Sequence, residues 1–392
     1  MPSTYVANVT LFDGRRVRPK HGVLIDGDRI AWVGPHARAP RGAKQADDHV
    51  DGVGRTLTPG LIDCHVHLCF DGGADFAAEG RELDESLGAI KGTVNAQKHL
   101  AAGVTTVRDL GGMGITQLAR AVERGLLAGP RIVAAGRALT VTGGHGHGIG
   151  FAREVDGAEA LRQAVREEIR AGAGAIKLIA TGGVLTPGIG ATFTAFTPEE
   201  LAAAVQEAHS WNCGVAAHAI GSEGVTQAVE AGCDSIEHCV QVTVATAKAM
   251  KERGTFRSPT LSALLGIAGN ADQVPSYAVE KATSLLGDAE TGLKRSLRAG
   301  VRHVCGTDAG TPFNPHGSAP HELVTMVEWG MDPLDVMIAA TANGAELLRV
   351  PDIGTVEEGK AADLVLYDAN PVEEIGALLK PRAVWRGVHV EG

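Results

Sequence analysis

Between residues 57 and 308 the chain repeats one device: a helix-like stretch ends at glycine, a short apolar run follows, and that run closes on a polar residue. HLAAG-VTTVRD (99–109), LLAG-PRIVAAG (126–136), RAGAG-AIKLIA (170–180), NCG-VAAH (212–218), EAG-CDSIEH (230–238), KERG-TFRSPT (251–260) and LRAG-VRHVCGTD (297–308) all carry it. Glycine supplies the left-handed residue that ends a helix, and a β-branched run after it suits a buried strand. Helix-period stretches at Ala158–Ala171, Pro198–Trp211 and Val240–Arg253 separate the runs, and Thr197-Pro198-Glu199-Glu200 reads as a helix start with Thr as its cap. With LTPGLIDCHVHL (57–68) as the first strand the count is eight. Strict alternation of eight strands with helices predicts an α/β fold, a (β/α)8 TIM-type barrel over 57–347. An open doubly wound sheet is the alternative, but no GxGxxG opens a helix after strand one.

The two ends read differently. Residues 1–56 hold short β-like runs (TYVANVTLFDG, HGVLIDGDRIAWVG), and 348–392 repeat the pattern in AADLVLYD and AVWRGVHV. Each end alone is too short to bury a core, so the expectation is one small β-sandwich domain formed by both termini, 1–56 plus 348–392. The formal charge of −10 comes without a run of Lys and Arg, which argues against nucleic acid or an anionic membrane as partner. No apolar stretch approaches a membrane span and no secretory signal is visible at the start. Six cysteines (64, 69, 213, 233, 239, 305) form no CxxC pair, and reduced, buried thiols in a cytoplasmic protein are expected.

Polar residues fall where a barrel would place chemistry, at the C-terminal ends of strands. His65 and His67 flank Val66 on the first strand, so the period of two turns both imidazoles to one side. The fourth strand carries Lys177, the fifth closes on His218, the sixth on His238 and the eighth on Asp308. Burying each of these unpaired would cost on the order of several kcal/mol, so packing alone is a poor explanation of their convergence. Neutral imidazole is a common zinc ligand. A buried lysine loses basicity, and its neutral amine can add carbon dioxide to give an anionic carbamate. The plainer reading of Lys177 is an ion pair with an acid such as Asp109.

PGLIDCHVHL, the mid-barrel lysine, single histidines at two later strand ends, GTDAG, and the tail GTVEEGKAADLVLYDANP together resemble the amidohydrolase superfamily, binuclear subtype, over essentially the whole chain. The likeness is greatest to its imidazolonepropionase-like and prolidase-like group. That resemblance implies two divalent metal ions, with zinc expected. His65, His67 and Asp308 would bind one, His218 and His238 the other, and carboxylated Lys177 would bridge them. A hydroxide between the metals would attack, and Asp308 would take its proton and return it to the leaving amine.

The same resemblance assigns the substrate carbonyl or oxyanion to His145 of the loop GGHGHG (143–148), with His147 as the second candidate. Related peptidases carry Tyr or His where this chain has Ile220, which removes a polar group from the pocket. Arg257, in an otherwise apolar strand, is a candidate for gripping a substrate carboxylate, or else pairs outward with a glutamate. The Gly- and Thr-rich stretch 181–196 is a candidate lid. The expected substrate is a small-molecule amide, Xaa-Pro-like or N-acyl amino acid, with carbamate, urea or lactam hydrolysis as alternatives. A mononuclear deaminase with Glu223 as its acid, and a non-catalytic binding or assembly protein, are the rival classes. A homo-oligomer is expected by analogy only.

Overall fold

The computed structural model describes the backbone of residues 3–390 and the side chains of 3–387. Both ends of the chain meet in one mixed eight-stranded sheet. Ser3–Phe12 lies at its centre, antiparallel to Val17–Asp26 and parallel to Asp48–Asp51 and Thr56–Pro59. Thr56–Pro59 then pairs antiparallel with Asp363–Tyr367, from the other end of the chain. Val6, Val9 and Leu11 share one apolar cluster with Leu364, Leu366 and Trp385, so each terminus supplies the face that the other must cover.

The segment 57–68 is not one strand. Thr56–Pro59 belongs to the terminal sheet, and Leu61–Val66 begins the parallel part of the molecule. The break falls at Gly60, where the chain passes so close to the next strand that a Cβ would lie 2.1 Å from Thr105 Oγ1.

The rest is an α/β fold built on parallel strands. Leu61–Val66, Val104–Asp109 and Arg131–Ala134 form one ladder. Ala138–Thr140, Ala175–Ile179, Gly214–Ala219, Ser235–His238 and Phe256–Ser258 form a second. The Gly174 amide donates to Ala134 O (2.8 Å) and links the two. On the far side, the segment 302–309 bonds to both outer strands. Arg257 N donates to Arg302 O (2.9 Å) and Cys64 N to Cys305 O (2.8 Å), while Asp308 N donates to His65 O (2.7 Å). This eighth run, expected as a strand, makes only isolated bridges at His303 and Ala309. Its backbone turns at Asp308, where φ is 61°.

The helices follow the sequence closely. Ala158–Ala171 matches its expected bounds, and Pro198–Ser210 opens with a capping box between Thr197 and Glu200. Val244–Arg253 starts later than its apolar pattern because Thr243 Oγ1 accepts from Thr246 N and fixes the first turn there. Gly172, Gly232, Gly254 and Gly300 end four helices in the left-handed conformation. All six cysteines are free and buried. Among the described residues no helix is long and apolar enough to cross a membrane.

Candidate active site

Register explains why residues of such different length can meet. Lys177 lies opposite Ala216, two positions below His218, and Ala219 lies opposite His238. Two residues of strand rise are about 6–7 Å, a distance that a four-carbon side chain spans and an imidazole does not. His65, His67, Lys177, His218, His238 and Asp308 accordingly line one cavity together with His145 and Ile220.

The geometry is tight. Asp308 Oδ1 lies 3.2 Å from His65 Nε2 and 3.1 Å from His67 Nε2. Ligand atoms of His65, His238 and Asp308 all fall within 4.8 Å of one another. The ring centroids of His218 and His238 are 4.6 Å apart.

Each imidazole is oriented by a hydrogen bond on its other nitrogen. His67 Nδ1 donates to Gly111 O (2.8 Å) and His218 Nε2 to Gly182 O (2.7 Å). His65 Nδ1 bonds Glu237 Oε2 at 3.0 Å. Thr260 Oγ1 gives its proton to Pro259 O, so it accepts from His238 Nδ1 (2.6 Å). These partners fix the tautomers: His65, His67 and His238 present a bare Nε2 to the cavity, and His218 presents Nδ1. Lone pairs of His65, His67 and the Asp308 carboxylate therefore face one another at about hydrogen-bond distance. That arrangement repels itself unless a proton or a metal cation sits between them.

Burial sets the charge states. It holds His218 and His238 well below the usual imidazole range, helped by the neighbouring imidazoles, and does the same to His65 with help from Lys177. At His67 the burial penalty is outweighed by the Asp308 carboxylate and the pKa is raised. Burial pushes the Lys177 amine down to about 8, against the pull of Glu237 and Asp308. Lys177 makes no side-chain hydrogen bond or ion pair among the described residues. Asp109, its sequence-level partner, instead accepts from the Leu68 and Gly111 amides at 2.6 and 3.2 Å.

His145 is buried beside the cluster, 4.8 Å from His218 between ring centroids. Its Nδ1 bonds Thr186 Oγ1 (2.7 Å), and Thr186 also accepts from Gly146 N (3.0 Å). Thr186 belongs to the stretch 181–196, whose Val184 and Leu185 line the cavity. That stretch is strapped down: Lys281 Nζ donates to the carbonyls of Gly183, Thr186 and Ile189 (3.2, 2.7 and 2.6 Å). Burial of His145 pulls its pKa down to about 3.

Three sequence-level candidates lie elsewhere. Arg257 does not line the cavity and cannot grip a substrate there; fully buried, it points toward the surrounding helix Ser276–Ala299 and donates to Ser296 Oγ (2.7 Å). Its neighbours Phe256 and Ser258 take the alternate side of the strand, as the period of two requires. His147 is exposed, bonds Gly144 O (2.9 Å) and lines a separate outer recess with Arg81 and Tyr277. Glu223 is exposed on its helix and accepts from Gln227.

Other residues were missed. Glu237 takes Arg108 Nη2 (2.8 Å) on one oxygen and His65 on the other, and all three are buried. A signal was present: Glu237 and Arg108 are charged residues inside CDSIEH and VTTVRD, runs that read as buried strands. His238, Cys239, Thr260 and Asp308 have positive φ, at 63°, 52°, 49° and 61°. Such backbone strain in non-glycine residues concentrates at functional sites, and no sequence pattern announces it.

Lone pairs gathered in a buried pocket at the ends of parallel strands make a site that could hold a metal ion, as a metal-dependent hydrolase requires. The chain belongs to the amidohydrolase family, whose model matches residues 56–392; this is a family of hydrolases acting on C–N bonds. Among the proteins it resembles is the ochratoxinase of Aspergillus niger, 32% identical over 96% of this chain and 83% of that one. The imidazolonepropionase of Micrococcus luteus is 28% identical, covering 98% of this chain and 97% of its own. The crystal structure of a Xaa-Pro dipeptidase with bound methionine in the active site superposes with a TM-score of 0.91 at 33% identity, over 100% of both chains.

Proposed function

We propose that this protein hydrolyses the C–N bond of a small-molecule amide at a binuclear metal site in the mouth of a closed (β/α)8 barrel. The link from Phe256–Ser258 through 302–309 to Leu61–Val66 supports closure. The sheet shared by both ends of the chain supports a single companion domain built from the two termini. The observation that carries the reading is the convergence of His65 Nε2 and His67 Nε2 on Asp308 Oδ1 at 3.2 and 3.1 Å.

His65, His67 and Asp308 would hold one cation, His218 and His238 the second, and Lys177, carboxylated on Nζ, would bridge them. Two divalent ions there, zinc being expected with imidazole and carboxylate donors, would lower the pKa of water toward neutrality and polarise the substrate carbonyl. Asp308 would take the proton released by water and return it to the leaving nitrogen, giving a carboxylic acid and an amine. We assign the Thr186 hydroxyl proton to His145 Nδ1, which leaves an N–H on His145 Nε2 to stabilise the oxyanion. Carbamates, ureas and lactams undergo the same attack and remain within the reading. The exposed position of Glu223 speaks against deaminase chemistry, and the full ligand set against a purely binding role.

Metal content per chain, measured by elemental analysis on wild type and Lys177→Ala, tests the proposal. About two metals in wild type with a marked loss in the variant are expected for a bridged pair. One metal retained in both would refute the bridge.

Gly183 offers a second check. A Cβ there would lie 2.4–2.5 Å from three atoms of the His145 ring, including Nε2. Gly183→Ala is expected to displace the imidazole and lower kcat about 100-fold, the scale of one lost oxyanion donor, with metal content unchanged. Unaltered kcat would remove His145 from the oxyanion role.

A further inference from the structure

Beyond the metal cluster and His145, the walls of the cavity are almost wholly apolar. Phe76, Phe151, Leu185, Ile220, Val240 and Leu264 come from six separate parts of the chain and face one space. The hydroxyl on the wall, Thr311 Oγ1, is spent on Asp308 O (2.8 Å). Nothing in this lining offers a cation to a substrate carboxylate, apart from Lys177 within the cluster itself.

Among the described residues, Arg108, Arg257 and Lys281 are committed elsewhere. Arg108 is held by Cys64 O (2.7 Å), Ser235 Oγ (3.1 Å) and Glu237 (2.8 Å). Arg257 is turned to Ser296, and Lys281 is occupied by three carbonyls of the 181–196 stretch. Ile220 stands at the critical place, immediately beyond the strand that carries His218. Its amide donates to Thr181 Oγ1 (3.1 Å) and its carbonyl accepts from Gln241 N (2.9 Å), so the backbone fixes this side chain in the wall. A carboxylate brought against these walls, away from the metal cluster and His145, would lose its water and gain no partner.

We infer that the cavity selects amides whose groups on either side of the scissile bond are apolar and uncharged, an amino-acid carboxyl being absent or masked as an amide or ester. This narrows the substrate expected of the hydrolase reading, on which it rests, and makes Ile220 a specificity-determining residue. An amino-acid skeleton is still accommodated; its free α-carboxylate is what the walls reject.

The test is a matched pair, N-benzoyl-leucinamide and N-benzoyl-leucine, measured by calorimetry for binding and by chromatography for hydrolysis on the metal-loaded protein. The neutral member is expected to bind at least about 100-fold more tightly, the scale set by stripping water from an unpaired carboxylate. Ile220→Arg, which places a guanidinium on the wall, is expected to shrink that gap to less than about 10-fold without changing metal content. Equal affinities in wild type, tighter binding of the carboxylate, or binding of neither would overturn the inference. The wild-type pair decides the matter even where Ile220→Arg does not fold. Discriminating binding without turnover of any amide would instead count against the hydrolase reading alone.

Discussion

Asp308→Asn is expected to lower kcat about a thousand-fold on any amide the wild type hydrolyses, within the range typical of lost acid–base catalysis. Asparagine keeps the shape of the side chain and one carbonyl oxygen, so the change tests charge and proton transfer more than packing. In the wild type Asp308 is ionised: burial opposes this, but His65, His67 and Lys177 around it prevail and hold its pKa below the ordinary value. The amide cannot take a proton from water or return one to the leaving nitrogen. Metal analysis alongside kinetics separates the two roles proposed for this residue. A variant that keeps its metals and loses turnover supports proton transfer, whereas a variant that keeps both would remove Asp308 from the chemistry.

Glu237→Ala is expected to cost about 3–5 kcal/mol of folding stability, the usual penalty for breaking a buried ion pair from one side. Arg108 and Glu237 are both essentially inaccessible, and after the change Arg108 would keep only the Cys64 carbonyl and Ser235 as partners. His65 would lose the carboxylate that fixes its tautomer, and metal affinity is expected to fall by about 10–100-fold as well. Denaturant titration of the metal-free protein reads the first effect without the second. Arg108→Met in the same chain is expected to recover part of the loss, because it removes the stranded charge. A loss below about 1 kcal/mol in the single variant would mean that solvent or another group compensates Arg108.

The mutual dependence of these residues explains the order in which the site became legible. His65, His67, Lys177, His218, His238 and Asp308 stand out in the sequence because each is a polar residue closing or interrupting an apolar run. The strand period and the strand-end rule suffice to aim them at one place. Glu237 and Arg108 break the same pattern, yet nothing local says that they face each other across two strands. Thr260, Gly111 and Gly182 are silent in the sequence, since a hydroxyl and two backbone carbonyls acquire their roles only from where the chain brings them.

Arg257 marks the limit most clearly. A lone arginine in a buried strand has two faces to choose from, and its residue type does not choose. The choice was made by Ser296 on a helix that begins many residues later. Ile220, by contrast, was legible as an apolar residue in a polar neighbourhood, but its meaning depends on the other walls. One apolar residue does not make an apolar cavity; six from distant segments do.

The sequence by itself determined the alternation of strand and helix, the helix caps, the six polar residues at the strand ends and the family to which they point. These are properties of period, spacing and residue type, which act over a few neighbouring positions. Tertiary structure alone decided which nitrogen of each imidazole is bare, that the two termini share one sheet, that the first apolar run divides at Gly60, and that among the described residues no cation other than Lys177 lines the cavity. Each of these depends on what a group meets across the fold, and a hydrogen-bond partner or a missing counter-charge is a relation between distant residues that local pattern cannot carry.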